Sequence, residues 1–260
     1  MWPLYVLVAV LGLAVGSFLN VVIWRVPRGE SVVHPPSHCP ACDAPVRPRD
    51  NVPVLSWLML RGRCRDCAAP ISARYPSVEL LTAGVFVILA ARIGFAAELP
   101  AFLYLGAIGV ALALIDLDVK RLPNAIVLPS YVVGAALLLV ATLVETDWWA
   151  GLRALIGMAA LYAFYFLLVL INPRGMGFGD VKLAGVLGLY LGWLGWGELV
   201  SGTFMGFLYG GVVGLLMIAL RRAGLKSKLP FGPFMLLGAL TAILVGGHLA
   251  DLYLDVALGR

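Results

Sequence analysis

The sequence predicts an all-α polytopic membrane protein with about eight transmembrane helices and one small polar loop domain. The 260 residues are 62% hydrophobic and only 13% charged, with a mean hydropathy of +0.97, whereas soluble proteins average about 25% charged residues. The net charge of +5 does not indicate nucleic-acid binding, because basic residues are expected beside membrane helices. We therefore expect membrane lipid, and no nucleic acid, around this chain.

Apolar runs bounded by Pro, Gly or charged residues give the predicted spans. They cover residues 2–24, 76–95, 98–116, 125–144, 150–171, 179–197, 199–220 and 230–250. The ends of the runs near Glu98 and Glu198 are not sharply defined, so seven or nine spans remain as alternatives. Arg25 and Arg28 follow the first run and no small-residue cleavage site is present, which predicts a retained helix and not a signal peptide.

The distribution of basic residues predicts the orientation of the spans. Positive-inside reasoning places the polar segment, from Arg25 to Arg74, in the cytoplasm. Alternation of the spans places the other basic loops on the same side, namely Lys120 with Arg121, Arg174 with Lys182, and the cluster at 221–228. The opposite loops are acidic or aromatic, so both termini are expected on the outer side.

All four cysteines lie in the polar segment as two Cys-x-x-Cys pairs, Cys39 with Cys42 and Cys64 with Cys67. This pattern is typical of a tetrahedral Zn²⁺ site. Disulfides are the alternative, which a reducing cytoplasm disfavours. A closed four-thiolate site leaves no coordination position for water, so we expect the zinc to be structural. His34 and His38 lie nearby and are ranked below the cysteines as ligands.

Two carboxylates are expected at the cytoplasmic membrane boundary. Asp116 follows the third run and Asp180 precedes the sixth, so the topology brings both to one side. A pair of carboxyl groups that share a site can act as general acid and general base. Gly177 and Gly179 leave room for a substrate backbone beside Asp180. The alternatives are a helix N-cap role for Asp180 and a solvated charge at a helix end for Asp116.

Several motifs in a fixed order give the chain a resemblance to the bacterial type IV prepilin peptidases, a family of leader peptidases and N-methyltransferases. Besides the paired cysteines, the motifs are Gly16-Ser-Phe-Leu-Asn20-Val with Arg25 and Pro27, Arg74-Tyr-Pro76 with Glu79, Asp116 with Leu122-Pro-Asn124, Gly177-Phe-Gly-Asp180 with Lys182, and Pro230-Phe-Gly-Pro-Phe234. They cover nearly the whole chain.

The resemblance implies that Asp116 and Asp180 are the catalytic pair. The substrates would be prepilin and pseudopilin precursors, cut after a glycine that ends a short basic leader. It also implies methylation of the new amino terminus from S-adenosylmethionine. Asp118 is given a supporting role at most. From charge alone, Lys182 and Lys228 are hypothesised to attract an acidic substrate residue just past the cut.

The same resemblance implies a division into a first transmembrane helix at 1–24, a methyltransferase-associated zinc segment at 25–75 and an aspartyl peptidase domain at 76–260. Asn20, Arg25 and Glu79 become candidates for binding the methyl donor, although no glycine-rich nucleotide-binding motif is present. For Asn20 and Arg25, helix-end capping and snorkelling are the alternative roles.

The resemblance further implies location in the bacterial cytoplasmic (inner) membrane with the active site facing the cytoplasm; the oligomeric state stays open. A different class of function is a transporter or assembly subunit with the zinc loop as a docking module. Transport carboxylates lie near the bilayer midplane, whereas these flank basic residues at one surface. A presenilin-like protease would not account for the cysteines.

Overall fold

A computed structural model describes residues 2–173, 175–220 and 229–258, with side chains described up to residue 247. This described part contains α-helices and short 3₁₀ turns but no β-strand, which confirms the predicted all-α class. The helices, in chain order, are α1 (Trp2–Arg25), α2 (Leu55–Met59), α3 (Arg74–Ile93), α4 (Leu99–Val119), α5 (Asn124–Glu145), α6 (Trp148–Ile171), α7 (Phe178–Leu194), α8 (Trp196–Ala219) and α9 (Gly232–Leu258).

Each of the eight predicted apolar runs corresponds to one long helix, but the predicted count of eight spans is not confirmed. Among the described residues, six helices are long and apolar enough to cross a membrane: α1, α3, α4, α5, α6 and α8. Helix α7 has only 17 residues, and α9 contributes a shorter apolar stretch, Gly232–Gly247. Arg174 and the basic cluster at 221–228, with Lys228, lie outside the described residues.

The helix ends differ from the predicted boundaries at both carboxylates. Helix α4 continues beyond Asp116 to Val119 and stops at Lys120, which adopts the left-handed conformation and donates its N–H to the Asp116 carbonyl at 2.9 Å. Helix α7 begins at Phe178, before Asp180. Both aspartates therefore belong to terminal helical turns and not to the flanking loops, because their backbone groups take part in the hydrogen bonds that close those turns.

The described chain divides into two compact units. The first comprises the residues up to Gly94 together with Gly106–Ala111, and it contains α1, α3 and the cysteine segment. Helix α1 lies directly against α3 at two glycines. A Cβ at Gly12 would lie 2.6 Å from the Ala83 Cα, and one at Gly16 would lie 2.7 Å from the Glu79 Cα. Small residues allow this close backbone approach.

The second unit comprises Phe95–Leu105 and the chain from Leu112 onward. Helix α7 is buried on nearly every side within it, as expected for a central helix. Glycines make this packing possible, since a Cβ at Gly188 would collide with the Gly157 carbonyl of α6. Arg153 of α6 donates hydrogen bonds to the carbonyls of Gly192 at 2.7 Å and Leu194 at 3.0 Å, which caps the carboxyl end of α7.

Candidate active site and metal centre

Asp116 lies in the last turn of α4 and is buried, with 4% of its surface exposed. Its Oδ2 accepts a hydrogen bond from the backbone N–H of Gly232 at 3.1 Å. Gly232 is the first residue of α9, so its N–H is one of the donors that a helix leaves without an internal partner. The amino end of α9 therefore holds the Asp116 carboxyl group in a fixed orientation.

Asp180 lies in the first turn of α7 and is also buried, at 8% exposed. Its Oδ2 accepts from the Gly177 N–H at 3.1 Å, and its own N–H donates to the Gly177 carbonyl at 3.0 Å. Gly177 is the N-cap of the helix, so the alternative interpretation of Asp180 as the N-cap residue is wrong. Asp180 is instead the residue whose side chain reaches back to the cap.

Leu122 lies beside both Gly179 and Gly232, the glycines next to the two carboxyl groups. A Cβ at Gly179 would lie 3.1 Å from the Leu122 Cβ, and one at Gly232 would lie 3.3 Å from the Leu122 Cδ2 and 2.8 Å from Asp116 Oδ2. Asp116 also acts electrostatically on the Asp180 carboxyl. The terminal turns of α4, α7 and α9 thus bring the two acids into one buried polar cluster, where each acid can affect the protonation of the other.

Two other residues predicted to support this site, Lys182 and Asp118, take different positions. Lys182 Nζ donates to Asn124 Oδ1 at 2.9 Å and lies 5.0 Å from the centre of the Phe178 ring, so it connects the starts of α5 and α7. Asp118 is exposed. Residues two apart on a helix do not share a face, so Asp118 points away from the direction of Asp116.

Two features of the cluster were not identified as site residues from the sequence. Gly232 supplies an amide donor to Asp116, and Tyr165 is buried within range of the Asp180 charge. The Tyr165 ring packs 6.4 Å from Phe231, which directly precedes Gly232. The Pro-Phe-Gly-Pro-Phe motif was the available indication for Gly232. No pattern indicated Tyr165, which is one of several aromatic residues in α6.

The four cysteine sulfurs form a compact group, with all Sγ atoms within 4.8 Å of one another. The Cys39–Cys67 and Cys42–Cys64 sulfurs are 3.8 and 4.0 Å apart. A tetrahedral zinc with bonds of about 2.3 Å requires sulfur separations of about 3.8 Å, so the arrangement fits the predicted metal.

The two cysteine turns are copies of one local structure. Residues 39–45 and 64–70 share the pattern Cys-x-x-Cys-x-Ala-Pro, a short repeat that the sequence analysis missed. In each copy the first cysteine accepts from the residue four positions later, Asp43 at 2.8 Å and Ala68 at 3.0 Å. Both of these residues have positive φ, at 61° and 58°. The two ligand pairs are therefore presented by matching turns.

Polar contacts outside the cysteines hold this segment together. Arg65 forms a bidentate ion pair with Asp50, and Arg47 pairs with Asp66 at 2.8 Å. The hydrogen bond from Arg65 lowers the pKa of Asp50 below its usual value. His38 contacts Asp43 and, like His34, is outside the described group of sulfur ligands.

The three candidate cofactor residues take different positions in the first unit. The Asn20 amide donates to the carbonyls of Gly16 in α1 and Tyr75 in the first turn of α3, so it links the two helices and does not cap either end. Arg25 donates to the Ser31 carbonyl at 2.9 Å and to Pro35. Glu79 is 7% exposed and accepts from the Val54 N–H at 2.7 Å. Arg25 and Glu79 thus lie at the junction between helices and loop.

Comparison with known families accounts for most of the chain. Residues 10–93 match the model of the bacterial peptidase A24 N-terminal domain, and residues 102–250 match that of the type IV leader peptidase family. The first match contains the cysteine segment, and the second contains Asp116 and Asp180. No solved structure matches the chain.

Similar proteins named "Prepilin leader peptidase/N-methyltransferase" occur in several bacteria. The protein from Aeromonas hydrophila is 37% identical over 97% of this chain and 94% of its own length. The Bacillus subtilis protein is 33% identical over 96% of this chain and 98% of its own length. The Myxococcus xanthus protein is 41% identical over 87% of this chain and 67% of its own length.

Proposed function

Because the chain belongs to the type IV leader peptidase family, as its motifs predicted, we propose that Asp116 and Asp180 are its catalytic pair. The chain is a multi-pass membrane peptidase with N-methyltransferase activity, and the transporter alternative is not favoured. Its substrates would be prepilins and pseudopilins, cut after the glycine that ends a short basic leader. The observation that carries the proposal is the single buried cluster containing both carboxyl groups.

The two carboxyl groups would divide the chemistry of hydrolysis. One is ionised and takes a proton from a water molecule, whose oxygen forms the bond to the scissile carbonyl carbon. The other is protonated and delivers its proton to the leaving nitrogen as the carbon–nitrogen bond breaks. In the described contacts Oδ2 of each aspartate accepts a backbone N–H. This arrangement leaves Oδ1 of each group for water and substrate.

The neighbouring residues would position the pair and admit the substrate. The Gly177 N–H fixes the Asp180 carboxyl group. Because Gly179 has no side chain, there is space for a substrate backbone beside Asp180, and Leu122 bounds that space on one side. Lys182 would hold α5 beside α7 through Asn124 and present a positive charge near the cut. Asp118, being exposed, would have a supporting role at most.

The four cysteines would hold a structural zinc ion that folds the polar segment. A metal bound by four thiolates has no open position, so its contribution is to link the two turns. Hydrolysis is assigned entirely to the carboxyl pair. The segment at 25–75 would belong to the second activity and the residues at 76–260 to the peptidase.

S-Adenosylmethionine supplies an electrophilic methyl group to the second activity when it is bound. Asn20, Arg25 and Glu79, which lie where α1 and α3 meet the polar loop, would be the residues that hold it. Cleavage must come first, because the acceptor nitrogen is an amide in the precursor.

The orientation of the enzyme follows from its charges. Basic residues adjoin α1 and the cysteine segment, which supports a cytoplasmic position for that segment in the inner membrane. The terminal turns that carry Asp116 and Asp180 adjoin Lys120, Arg121 and Lys182. We propose the same cytoplasmic boundary for the active site, with lipid around the apolar helices.

The function is tested by incubating the purified protein with a precursor peptide that contains a basic leader, the cleavage glycine and the first residues of a mature pilin. Mass spectrometry would report the cut and the added methyl group separately. We expect both products with S-adenosylmethionine present, and only the cut product without it. An uncut peptide in both reactions would contradict the assignment.

A further inference from the structure

The first unit contains an open cavity of about 410 Å³ between α1 and the polar loop. One wall is a stripe of α1 formed by Ala14, Phe18, Val21 and Arg25, with Ser17 beside it. The first four positions lie three or four residues apart, as expected for one helix face. The facing wall comes from the loop and includes Val33 and Asn51. The volume lies in the range of small-molecule sites, which are mostly apolar with a few polar groups.

Arg25 forms the charged end of this cavity. Its Nη1 and Nη2 donate to the carbonyls of Ser31 at 2.9 Å and Pro35 at 2.7 Å, which fixes the loop wall relative to α1. A guanidinium group has five N–H donors, so these two bonds leave capacity for a ligand. A carboxylate is one of the anionic groups that such a donor set binds well.

A buried carboxyl group lies behind the helical wall. Glu79 of α3 is 7% exposed and interacts with the side chain of Ser17, which lines the cavity. Gly16 lets α1 approach Glu79 closely, because any Cβ there would meet the Glu79 backbone. The oxygen atoms of a carboxyl group behind a small polar residue favour a cationic ligand group at that part of the cavity.

We infer that this cavity is the binding site for S-adenosylmethionine. The inference rests on the proposed N-methyltransferase activity and assigns it a place in the molecule. The aromatic and aliphatic wall of Phe18 and Val21 suits an adenine ring, Arg25 suits the carboxylate of the methionine moiety, and the Glu79 side suits the sulfonium. One ligand carries all three of these groups, and its size fits a cavity of about 410 Å³.

The test is direct binding of radiolabelled S-adenosylmethionine to the full chain, purified in nanodiscs and without any peptide. Val21→Trp fills the cavity from its helical wall. Val10→Trp is the matched control, since it puts the same side chain on an exposed position of the same helix outside the cavity. We expect Val21→Trp to weaken binding by at least about tenfold, equivalent to about 1.4 kcal/mol, and Val10→Trp to bind like the unmodified chain.

Ultraviolet cross-linking of the same ligand to the unmodified chain gives a second readout that does not depend on how the variant folds. Labelled peptides from residues 14–25, 32–37 or 51–53 would support the site, and labelling confined to other segments would overturn it. Unchanged affinity in Val21→Trp would overturn it as well. If the unmodified chain binds no S-adenosylmethionine at all, the proposed methyltransferase function fails together with the site.

Discussion

The cysteine segment and the carboxylate cluster hold their reactive groups by different means. The segment brings four sulfurs within 4.8 Å through two matching turns, aided by exposed ion pairs such as Arg47 with Asp66. The cluster brings together two acids that are distant in the sequence, through buried ends of packed helices. A loop with little core depends on its metal, whereas helix ends depend on packing. Substitutions in the cluster should therefore reduce peptide cleavage, whereas substitutions of the cysteines should reduce zinc binding and methylation.

The largest expected effect is on peptide cleavage when either acid loses its ability to ionise. Asp116→Asn or Asp180→Asn keeps the size of the side chain but removes one partner in proton transfer, so cleavage of a precursor peptide should fall by about 10²- to 10⁴-fold. Cleavage rates of detergent-purified variants measure this loss, and equal zinc content serves as the control for folding of the cysteine segment. Near-normal cleavage by either variant would remove that aspartate from the mechanism.

Replacing a sulfur ligand should affect the other region. Cys42→Ser or Cys67→Ser removes one of four ligands, so bound zinc should drop well below about one ion per chain and methylation by at least about tenfold. Metal analysis and methyl transfer to a pre-cut peptide measure both effects. Ala69→Ser lies in the same segment without being a ligand and should retain the metal. Full zinc occupancy in the ligand variants would refute the four-sulfur site.

A smaller loss of cleavage is expected when the packing around the acids changes. In Gly232→Ala the new Cβ would lie 2.8 Å from Asp116 Oδ2, so the carboxyl group must shift, and a displacement of about 1 Å can cost about 10²-fold in rate. Gly211→Ala in α8 is the matched control, because nothing lies within 4 Å of its Cβ. Equal cleavage rates for the two variants would show that the Gly232 contact does not position Asp116.

The smallest expected effect is on stability, at the carboxyl end of α7, which belongs to neither the carboxylate cluster nor the cysteine segment. Arg153→Met removes the guanidinium that donates to the carbonyls of Gly192 and Leu194, and hydrogen bonds from charged donors contribute about 1.5 to 3 kcal/mol. We expect the thermal midpoint to fall by several degrees. Arg153→Lys should restore part of the loss, since it keeps the charge without the planar donor fork. A midpoint equal to that of the unmodified chain would contradict this role.

The same contrast explains what the sequence could predict. The cysteine ligands follow from local spacing, because each pair lies in one turn, and the apolar runs correctly indicated the long helices. The meeting of Asp116 and Asp180 followed from counting spans and not from either motif alone. The Pro-Phe-Gly-Pro-Phe motif contained Gly232, but the hydrogen bond from Gly232 to Asp116 and the cavity beside Arg25 could not be predicted, since both depend on which groups meet after packing.

The most direct test of two independent chemistries compares Asp180→Asn and Cys42→Ser on a precursor peptide and on the same peptide already cut. We predict that Asp180→Asn methylates the pre-cut peptide but leaves the precursor intact. Cys42→Ser should cut the precursor but leave both peptides without a methyl group. If Asp180→Asn loses methylation of the pre-cut peptide, or Cys42→Ser loses cleavage to the same extent as methylation, the two regions do not carry separate activities.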